Sequence, residues 1–197
     1  MTRGLLDGYV GPKFHHERQD LPAPVDLDTL LPRFVAAGRR LDAHGMAPLN
    51  GGNMSVRLGP GLVVTSSGSN LGLLESGELV YVDHCDAVAG LVRYRGPALP
   101  SSESILHHLV LAARPAAMAV VHAHDPSTTS AAMARAGLTL TDREEPYGTV
   151  ALAQRAIAAF AGGRDLIVLV NHGYVCVGPS LEAVIERIVG VHLALRG

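Results

Sequence analysis

The sequence predicts an α/β fold: a single α/β/α domain whose central mixed, largely antiparallel sheet is flanked by helices on both faces. The chain has 197 residues, 48% hydrophobic and 17% charged, which is enough apolar material for one buried core. Short strand-like runs cluster in its middle, and helical patterns precede, interrupt and follow them. This order favours helices on both sides of one sheet.

The elements can be placed along the chain from apolar spacing and from Gly, Pro and Ser clusters. Residues 1–25 carry several Gly and Pro and are expected to form an irregular N-terminal arm, with the domain spanning 26–197. Helices are predicted at 27–41, 101–114, 150–160 and from Ser180 onward. Strands are predicted at 53–58, 62–65, 79–82, 91–94, 117–122, 166–170 and 174–177.

The composition argues against several classes of protein. The net charge is −2 without a basic block, and Trp is absent, so nucleic-acid binding is not expected. The first eleven residues lack the apolar stretch of a signal peptide, and no run approaches the ~20 apolar residues of a membrane span. We therefore expect a cytoplasmic protein whose two cysteines are free thiols.

Three histidines are candidates for a metal site. His122 and His124 end an apolar strand, and alternate residues of a strand share a face. His172 lies where a later apolar strand gives way to a glycine. Three imidazoles with an open fourth position are typical of a catalytic metal. The alternative is that each histidine is an ordinary turn or core residue.

Small polar turns are candidates for binding an anion. Ser101, Ser102 and Glu103 stand at a predicted helix start, where free N–H groups and the helix dipole favour negative charge. Ser101 could equally be a simple helix cap. The turns 50–53 and 66–70 contain glycines that let a backbone approach phosphate, although neither matches a known nucleotide-binding loop. Both could also be purely structural turns.

In this order, these segments resemble the class II aldolase/adducin family, whose best-known enzymes are zinc-dependent sugar-phosphate aldolases. The resemblance spans about residues 28–195. Each motif is weak alone, whereas the ordered set is specific. The motifs that carry it lie at 50–57, 64–68, 101–103, 120–124, 171–173 and 177–178.

The resemblance implies a role for each matching residue. His122, His124 and His172 would bind a divalent metal, usually zinc, with manganese or cobalt as alternatives. Glu103 would be the catalytic acid/base and also a possible metal ligand. The residues implied to hold a substrate phosphate are Gly52, Asn53, Ser67, Gly68, Ser101 and Ser102. Family enzymes are commonly homotetramers with active sites between subunits.

The implied activity is that of a metal-dependent aldolase. It would reversibly cleave a ketose 1-phosphate into dihydroxyacetone phosphate and an aldehyde through a metal-stabilised enediolate. A sugar-phosphate 4-epimerase, dehydratase or decarboxylase would use the same chemistry. Glu rather than Asp at position 103 favours aldol chemistry over epimerisation. An adducin-like interaction module is a non-enzymatic alternative, for which eroded ligands would be expected.

The sequence departs from the family aldolases in the parts that handle the aldehyde. Residues 137–146 lack the tyrosine that those enzymes carry after the second histidine, and Tyr147 is only a weak substitute. The chain stops at Gly197, without their tyrosine-bearing tail. Tyr9, Phe14 or His15 of the N-terminal arm are alternative sources of such a group. We therefore expect a substrate other than fuculose phosphate.

Overall fold

An eight-stranded mixed sheet forms the centre of residues 14–196, the part of the chain that the computed structural model describes. Its order is β1-β5-β4-β3-β2-β6-β8-β7, and every neighbouring pair is antiparallel except β1 and β5. The predicted mixed, largely antiparallel sheet is thus confirmed. The strands are β1 (His15–Arg18), β2 (Asn53–Leu58), β3 (Gly61–Thr65), β4 (Leu79–Asp86), β5 (Leu91–Arg95), β6 (Ala119–Ala123), β7 (Leu166–Leu169) and β8 (Gly173–Gly178).

Helices cover both faces of this sheet and confirm the α/β/α layering. Within the described residues they are α1 (Leu31–Asp42), α2 (Ser104–Ala113), α3 (Ser130–Arg135), α4 (Val150–Ala159) and α5 (Leu181–Ala194), with 3-10 turns at Leu27–Thr29 and Leu71–Leu73. One buried cluster contains Phe34 of α1 and Ile185 of α5, and the other contains Leu106 of α2 and Ala156 of α4. Val120 and Val121 belong to different clusters because neighbouring strand residues face opposite sides of the sheet.

Several element boundaries differ from those predicted. The first helix is interrupted: Asp26 caps a 3-10 turn, and α1 begins only at Leu31, with Pro32 in its first turn. The helix predicted from 101 begins at Ser104, because 101–103 form a turn in which the Ser101 hydroxyl accepts from the Glu103 amide. The fourth strand extends to Asp86, past the predicted end at 82. Helix α3 is too short for its periodicity to be recognised.

The N-terminal arm is partly ordered into the sheet. His15–Arg18 form β1, which pairs in parallel with Leu91–Tyr94 at one edge. The expectation of an irregular arm is therefore wrong for these four residues, since pairing with a distant strand leaves no local signature. Residues 1–13 lie outside the described part of the chain.

The helices of residues 14–196 do not meet the requirements of a membrane span. None of them combines the length and the apolar composition needed to cross a bilayer.

Candidate metal centre and active site

The three predicted histidines meet at one end of the sheet. His122 is in β6, opposite Asn53 of β2 and Val175 of β8. His124 follows the strand, and His172 lies in the turn between β7 and β8. The His122 Nε2 atom is 2.8 Å from the His124 Nε2 and 3.2 Å from the His172 Nε2. The possible ligand atoms of all three lie within 4.8 Å of one another.

The surroundings of His122 favour its neutral form. Its side chain is fully buried, and its Nδ1 lies 2.8 Å from the Tyr174 carbonyl, to which it donates. That bond leaves the lone pair of Nε2 directed at the other two rings. Burial lowers the pKa of His122 well below its ordinary value, and the neighbouring His172 and His124 lower it further. A neutral imidazole is the form that binds a metal.

Two glycines allow the backbone to approach His122 closely. Gly52 has φ +81°, and a Cβ added there would lie 2.7 Å from the His122 carbonyl oxygen. At Gly173 a Cβ would lie 2.3 Å from the Ala123 carbonyl oxygen. Such distances are not tolerated by real side chains, so both positions require glycine. The motifs 50–53 and 171–173 therefore shape the site through their backbone.

The turn that carries His172 is braced by the segment that follows His124. Asn171 has φ +55°, and its amide N donates to the Ser130 hydroxyl at 2.8 Å. Its Nδ2 donates to the Glu144 carboxylate at 2.8 Å. Sequence analysis missed Glu144. The available signal was a pair of acidic residues in the stretch where the tyrosine was absent.

Glu103 lies immediately before α2 and faces the histidines. Its Oε2 is 3.4 Å from the His122 Nε2 and accepts from the Asn53 Nδ2 at 2.9 Å. Its Oε1 is buried and makes no hydrogen bond to any described residue. A buried carboxylate oxygen without a partner is unusual and points to a missing proton, metal ion or ligand. Three imidazoles beside this carboxylate are a donor set that fits a divalent metal.

The loops predicted to bind phosphate are brought together, and their phosphate role stays a prediction. Ser66 pairs with Pro100 in an isolated bridge, and the Ser67 amide donates to the Leu99 carbonyl at 2.8 Å. These bonds place the turn containing Gly68, which has φ +81°, beside the segment that continues to Ser101 and Ser102. Asn53 pairs with His122 from the adjoining strand β2, and Gly52 immediately precedes that strand.

Of the suggested substitutes for the missing tyrosine, His15 is the one whose strand lies far from the three histidines within one chain. Tyr147 and Phe14 pack against the hydrophobic cluster under α2 and α4. His15 belongs to β1, which is five strand spacings from β6, or about 24 Å. Tyr9 falls outside the described residues. His15 and the three clustered histidines of the same chain are therefore too far apart to act together.

The sequence of most of the described chain matches a known family. The family model described as Class II Aldolase and Adducin N-terminal domain matches residues 32–196. The chain belongs to the class II aldolase/adducin family.

Individual relatives support this membership. A 5-methylthioribulose-1-phosphate/5-deoxyribulose-1-phosphate aldolase of Rhodospirillum rubrum is 33% identical over 171 residues, covering 80% of this chain and 74% of the relative. A methylthioribulose-1-phosphate dehydratase of Granulibacter bethesdensis is 40% identical over 102 residues, covering 51% of this chain and 45% of the relative. The chain thus spans less than half of that dehydratase.

The fold is also that of solved structures. A structure of L-fuculose 1-phosphate aldolase superposes with a TM-score of 0.72 at 24% identity, covering 85% of this chain and 84% of the other. Together, the family model and the curated relatives support an enzyme of the class II aldolase superfamily that acts in sugar-phosphate chemistry.

Proposed function

We propose that the chain is a metal-dependent lyase that removes water from a ketose 1-phosphate, in the class of 5-methylthioribulose 1-phosphate. The curated relatives favour this dehydratase alternative over the expected aldolase that releases dihydroxyacetone phosphate, since several of them are named methylthioribulose-1-phosphate dehydratase. The observation that carries the proposal is the partnerless Glu103 Oε1 beside three converging imidazoles.

Each described residue has a separate task in this reaction. His122, His124 and His172 would hold a divalent metal, which when bound polarises the substrate carbonyl and acidifies the adjacent C–H. Glu103 then takes that proton on Oε1. The C–O bond on the next carbon breaks, a C=C bond forms, and the hydroxyl leaves as water once it is protonated.

The leaving hydroxyl needs a proton, and Glu144 is our candidate for supplying it. Its carboxylate is linked through the Asn171 side chain to the turn that carries His172. Glu144 is hydrogen-bonded to the turn that contains the proposed metal ligand His172. It lies in the segment where family aldolases have a tyrosine. Glu144→Gln is expected to lower kcat while the metal content stays unchanged.

Aldol cleavage of the same sugar phosphate is the second candidate. It is favoured by the Rhodospirillum rubrum relative, which the chain covers more fully than it covers the dehydratases named above. The two reactions share the carbonyl and the carbanion next to it. They differ at the following carbon, whose hydroxyl leaves in dehydration and loses its proton in cleavage.

Product analysis separates the two reactions. The purified protein is incubated with 5-methylthioribulose 1-phosphate or 5-deoxyribulose 1-phosphate and Zn²⁺, Mn²⁺ or Co²⁺, and products are followed by ³¹P NMR and mass spectrometry. Dehydration yields one phosphorylated product lighter by one water, whereas cleavage yields dihydroxyacetone phosphate and an aldehyde. Glu103→Gln should lower either rate by about 10²–10⁴-fold. No turnover of either sugar with any of the metals would refute the proposal.

The phosphate site, the metal and the cellular location are further parts of the proposal. The backbone and hydroxyl groups of the two joined loops and of 52–53 would hold the substrate phosphate. An all-imidazole set suits zinc, and manganese and cobalt remain alternatives. The cytoplasm is retained as the expected compartment.

A homotetramer with active sites between subunits completes the proposal. Leu49 and Leu73 are 71% and 70% exposed and flank the glycine-containing loops in sequence. A second copy of the chain would cover these two exposed side chains and close the site. Light scattering after size-exclusion chromatography should report four chains, and a monomer would contradict this part.

A further inference from the structure

A buried chain of hydrogen bonds lies behind Glu103 and has no task in the steps above. The Ser55 Oγ lies 2.6 Å from the His107 Nδ1, and the His107 Nε2 lies 2.5 Å from the Asn53 Oδ1. The Asn53 Nδ2 in turn donates to the Glu103 Oε2 at 2.9 Å. These hydrogen bonds therefore connect Ser55, in the interior, to Glu103, the proposed acid/base.

Two secondary-structure elements bring these four residues together. Asn53 and Ser55 are alternate residues of β2, so both side chains face the same side of the sheet. Glu103 is the residue immediately before α2, and the His107 amide donates to its carbonyl at 3.2 Å, so the two residues are one helical turn apart at the start of the helix. All four are buried, and Ser55 and His107 are completely so. Buried polar groups at this depth are tolerated only when they are hydrogen-bonded.

The Glu103 carboxylate determines which atoms donate and which accept along the whole series of hydrogen bonds. An ionised Glu103 only accepts, so the Asn53 amide must present its Nδ2 to Glu103 and its Oδ1 to His107. His107 then donates from Nε2, and its Nδ1 accepts from the Ser55 hydroxyl. Burial lowers the pKa of His107 to about 4, in agreement with a neutral ring of this single tautomer.

We propose that His107, oriented by Ser55, is a positioning residue for the reaction: it holds the Asn53 amide in the orientation that donates to Glu103 Oε2. Oε2 is thereby anchored, and Oε1 is left to receive the substrate proton. This inference rests on the proposed function, in which Glu103 moves that proton. His107 touches neither the histidine cluster nor the substrate directly in this scheme.

The loss of His107 has a specific expected consequence. Without its donor, the Asn53 amide can rotate and present Oδ1 to the carboxylate, which repels it. The Glu103 side chain would then leave its productive orientation, while the metal ligands and the phosphate loops stay in place. Such a change lowers kcat and leaves KM nearly unaltered, because it removes an interaction that matters only during proton transfer.

Three variants test this role in the full-length, metal-loaded protein. His107→Leu should lower kcat about ten- to a hundredfold, with KM and bound metal within about twofold of the parent. His107→Gln keeps an N–H donor near the Nε2 position and should recover most of the lost kcat. Val110→Ala, in the same face of α2 and equally buried, should lower the melting temperature without changing kcat.

Two results would contradict the positioning role of His107. Equal losses in the Leu and Gln variants would mean that His107 contributes only packing and would overturn the proposal. A rise in KM that accounts for the whole loss of kcat/KM would do the same.

A second measurement does not depend on turnover. The histidine ring nitrogens and the Asn53 side-chain amide are observed by ¹H–¹⁵N NMR, with His107 assigned from the signals that disappear in His107→Gln. A neutral Nε2–H ring is expected at pH 7, and the Asn53 Nδ2 signals should shift in His107→Leu and return in His107→Gln. An Nδ1–H ring, or Asn53 signals unmoved by His107→Leu, would overturn the proposal even in an active enzyme.

The two measurements also separate this proposal from the proposed function. The parent protein could turn over no sugar phosphate while the NMR changes appear as expected. That result would refute the proposed function and support the conclusion that His107 orients the Asn53 amide. If the parent is active but the Asn53 signals do not shift in His107→Leu, the proposed function stands and the positioning role is refuted.

Discussion

At the residue scale, one bond determines how His122 can act. Its Nδ1 is occupied by the Tyr174 carbonyl, so its Nε2 is the nitrogen that faces His124 and His172. When one ring nitrogen of a metal-binding histidine donates such a hydrogen bond, the bond fixes the tautomer and raises the basicity of the other nitrogen. Because His122 is completely buried, substituting it would also disturb the core, whereas His172 is only partly buried.

His172→Ala therefore offers the cleaner test of the metal site. Loss of one of three ligands should reduce bound metal from about one ion per chain to a small fraction, and lyase activity should fall with it. Elemental analysis after purification without chelators measures the metal. His84→Ala, at an exposed histidine in β4, is the matched control and should retain both. Full metal content in His172→Ala would contradict the assigned ligand set.

Gly52→Ala probes the backbone next to the site. The new Cβ combines a positive φ with a 2.7 Å approach to the His122 carbonyl, so both stability and metal binding should decrease. Gly59→Ala has a similar φ of +56° but no atom within 4 Å of the added Cβ. That control should cost only about 1–2 kcal/mol of unfolding free energy, with normal metal content. Chemical denaturation and metal analysis compare the two, and equal effects would show that the close approach is unimportant.

At the scale of elements, α1 and α5 are joined by an ion pair on their shared face of the sheet. The Arg33 guanidinium binds the Glu182 carboxylate through two bonds, of 2.8 and 2.9 Å. The hydrogen bond from Arg33 lowers the pKa of Glu182 to about 2. Both side chains are about half exposed, so solvent screens the pair and its contribution stays below about 1 kcal/mol.

The pair should make a small, pH-dependent contribution to stability. A carboxyl whose pKa is lower in the folded state stabilises the protein above its ordinary pKa, near 4.5, and this gain disappears as the pH falls toward 2. Glu182→Gln should therefore lower the unfolding free energy by up to about 1 kcal/mol at pH 7 and by less at pH 3. Glu186→Gln, at an exposed position of α5, should have little effect at either pH. A larger loss at pH 3 than at pH 7 would contradict this assignment.

Some sequence patterns are sufficient to predict the bounds of a strand or helix, and others are not. Strands β2 and β8 were predicted almost to the residue, because alternation and flanking glycines are local signals. Strand β1 was not, since a four-residue run with two histidines becomes a strand only by pairing with β5. Helix α2 begins later than predicted because the Ser101 hydroxyl bonds to the Glu103 amide and holds a turn there.

At the scale of the whole molecule, the sheet joins residues that are distant in the sequence. β6 lies between β2 and β8, so His122 meets Asn53 on one side and the strand that follows His172 on the other. A metal bound here would link β6 to the turn between β7 and β8. It would bind the folded chain and not the unfolded one, and so raise the free energy of unfolding.

Metal binding should therefore raise the melting temperature. At a free Zn²⁺ concentration of about 100 times Kd the gain is about 2.7 kcal/mol, or roughly 5–10 °C for a domain of this size. Calorimetry of the metal-free protein with and without Zn²⁺ measures the shift, and the Zn²⁺ response should vanish in His172→Ala. An identical increase in that variant would show that zinc binds elsewhere.

The sequence by itself determined the fold class, the family, the candidate histidines and Glu103. These depend on local periodicity and on short motifs whose order along the chain is specific. Only the tertiary structure decided how Glu103 is oriented, that Asn53 and His107 stand behind it, and that Glu144 braces the turn of His172. These contacts join residues separated by 27 to 54 positions. No local pattern records them, because strand order and helix packing decide which distant side chains become neighbours.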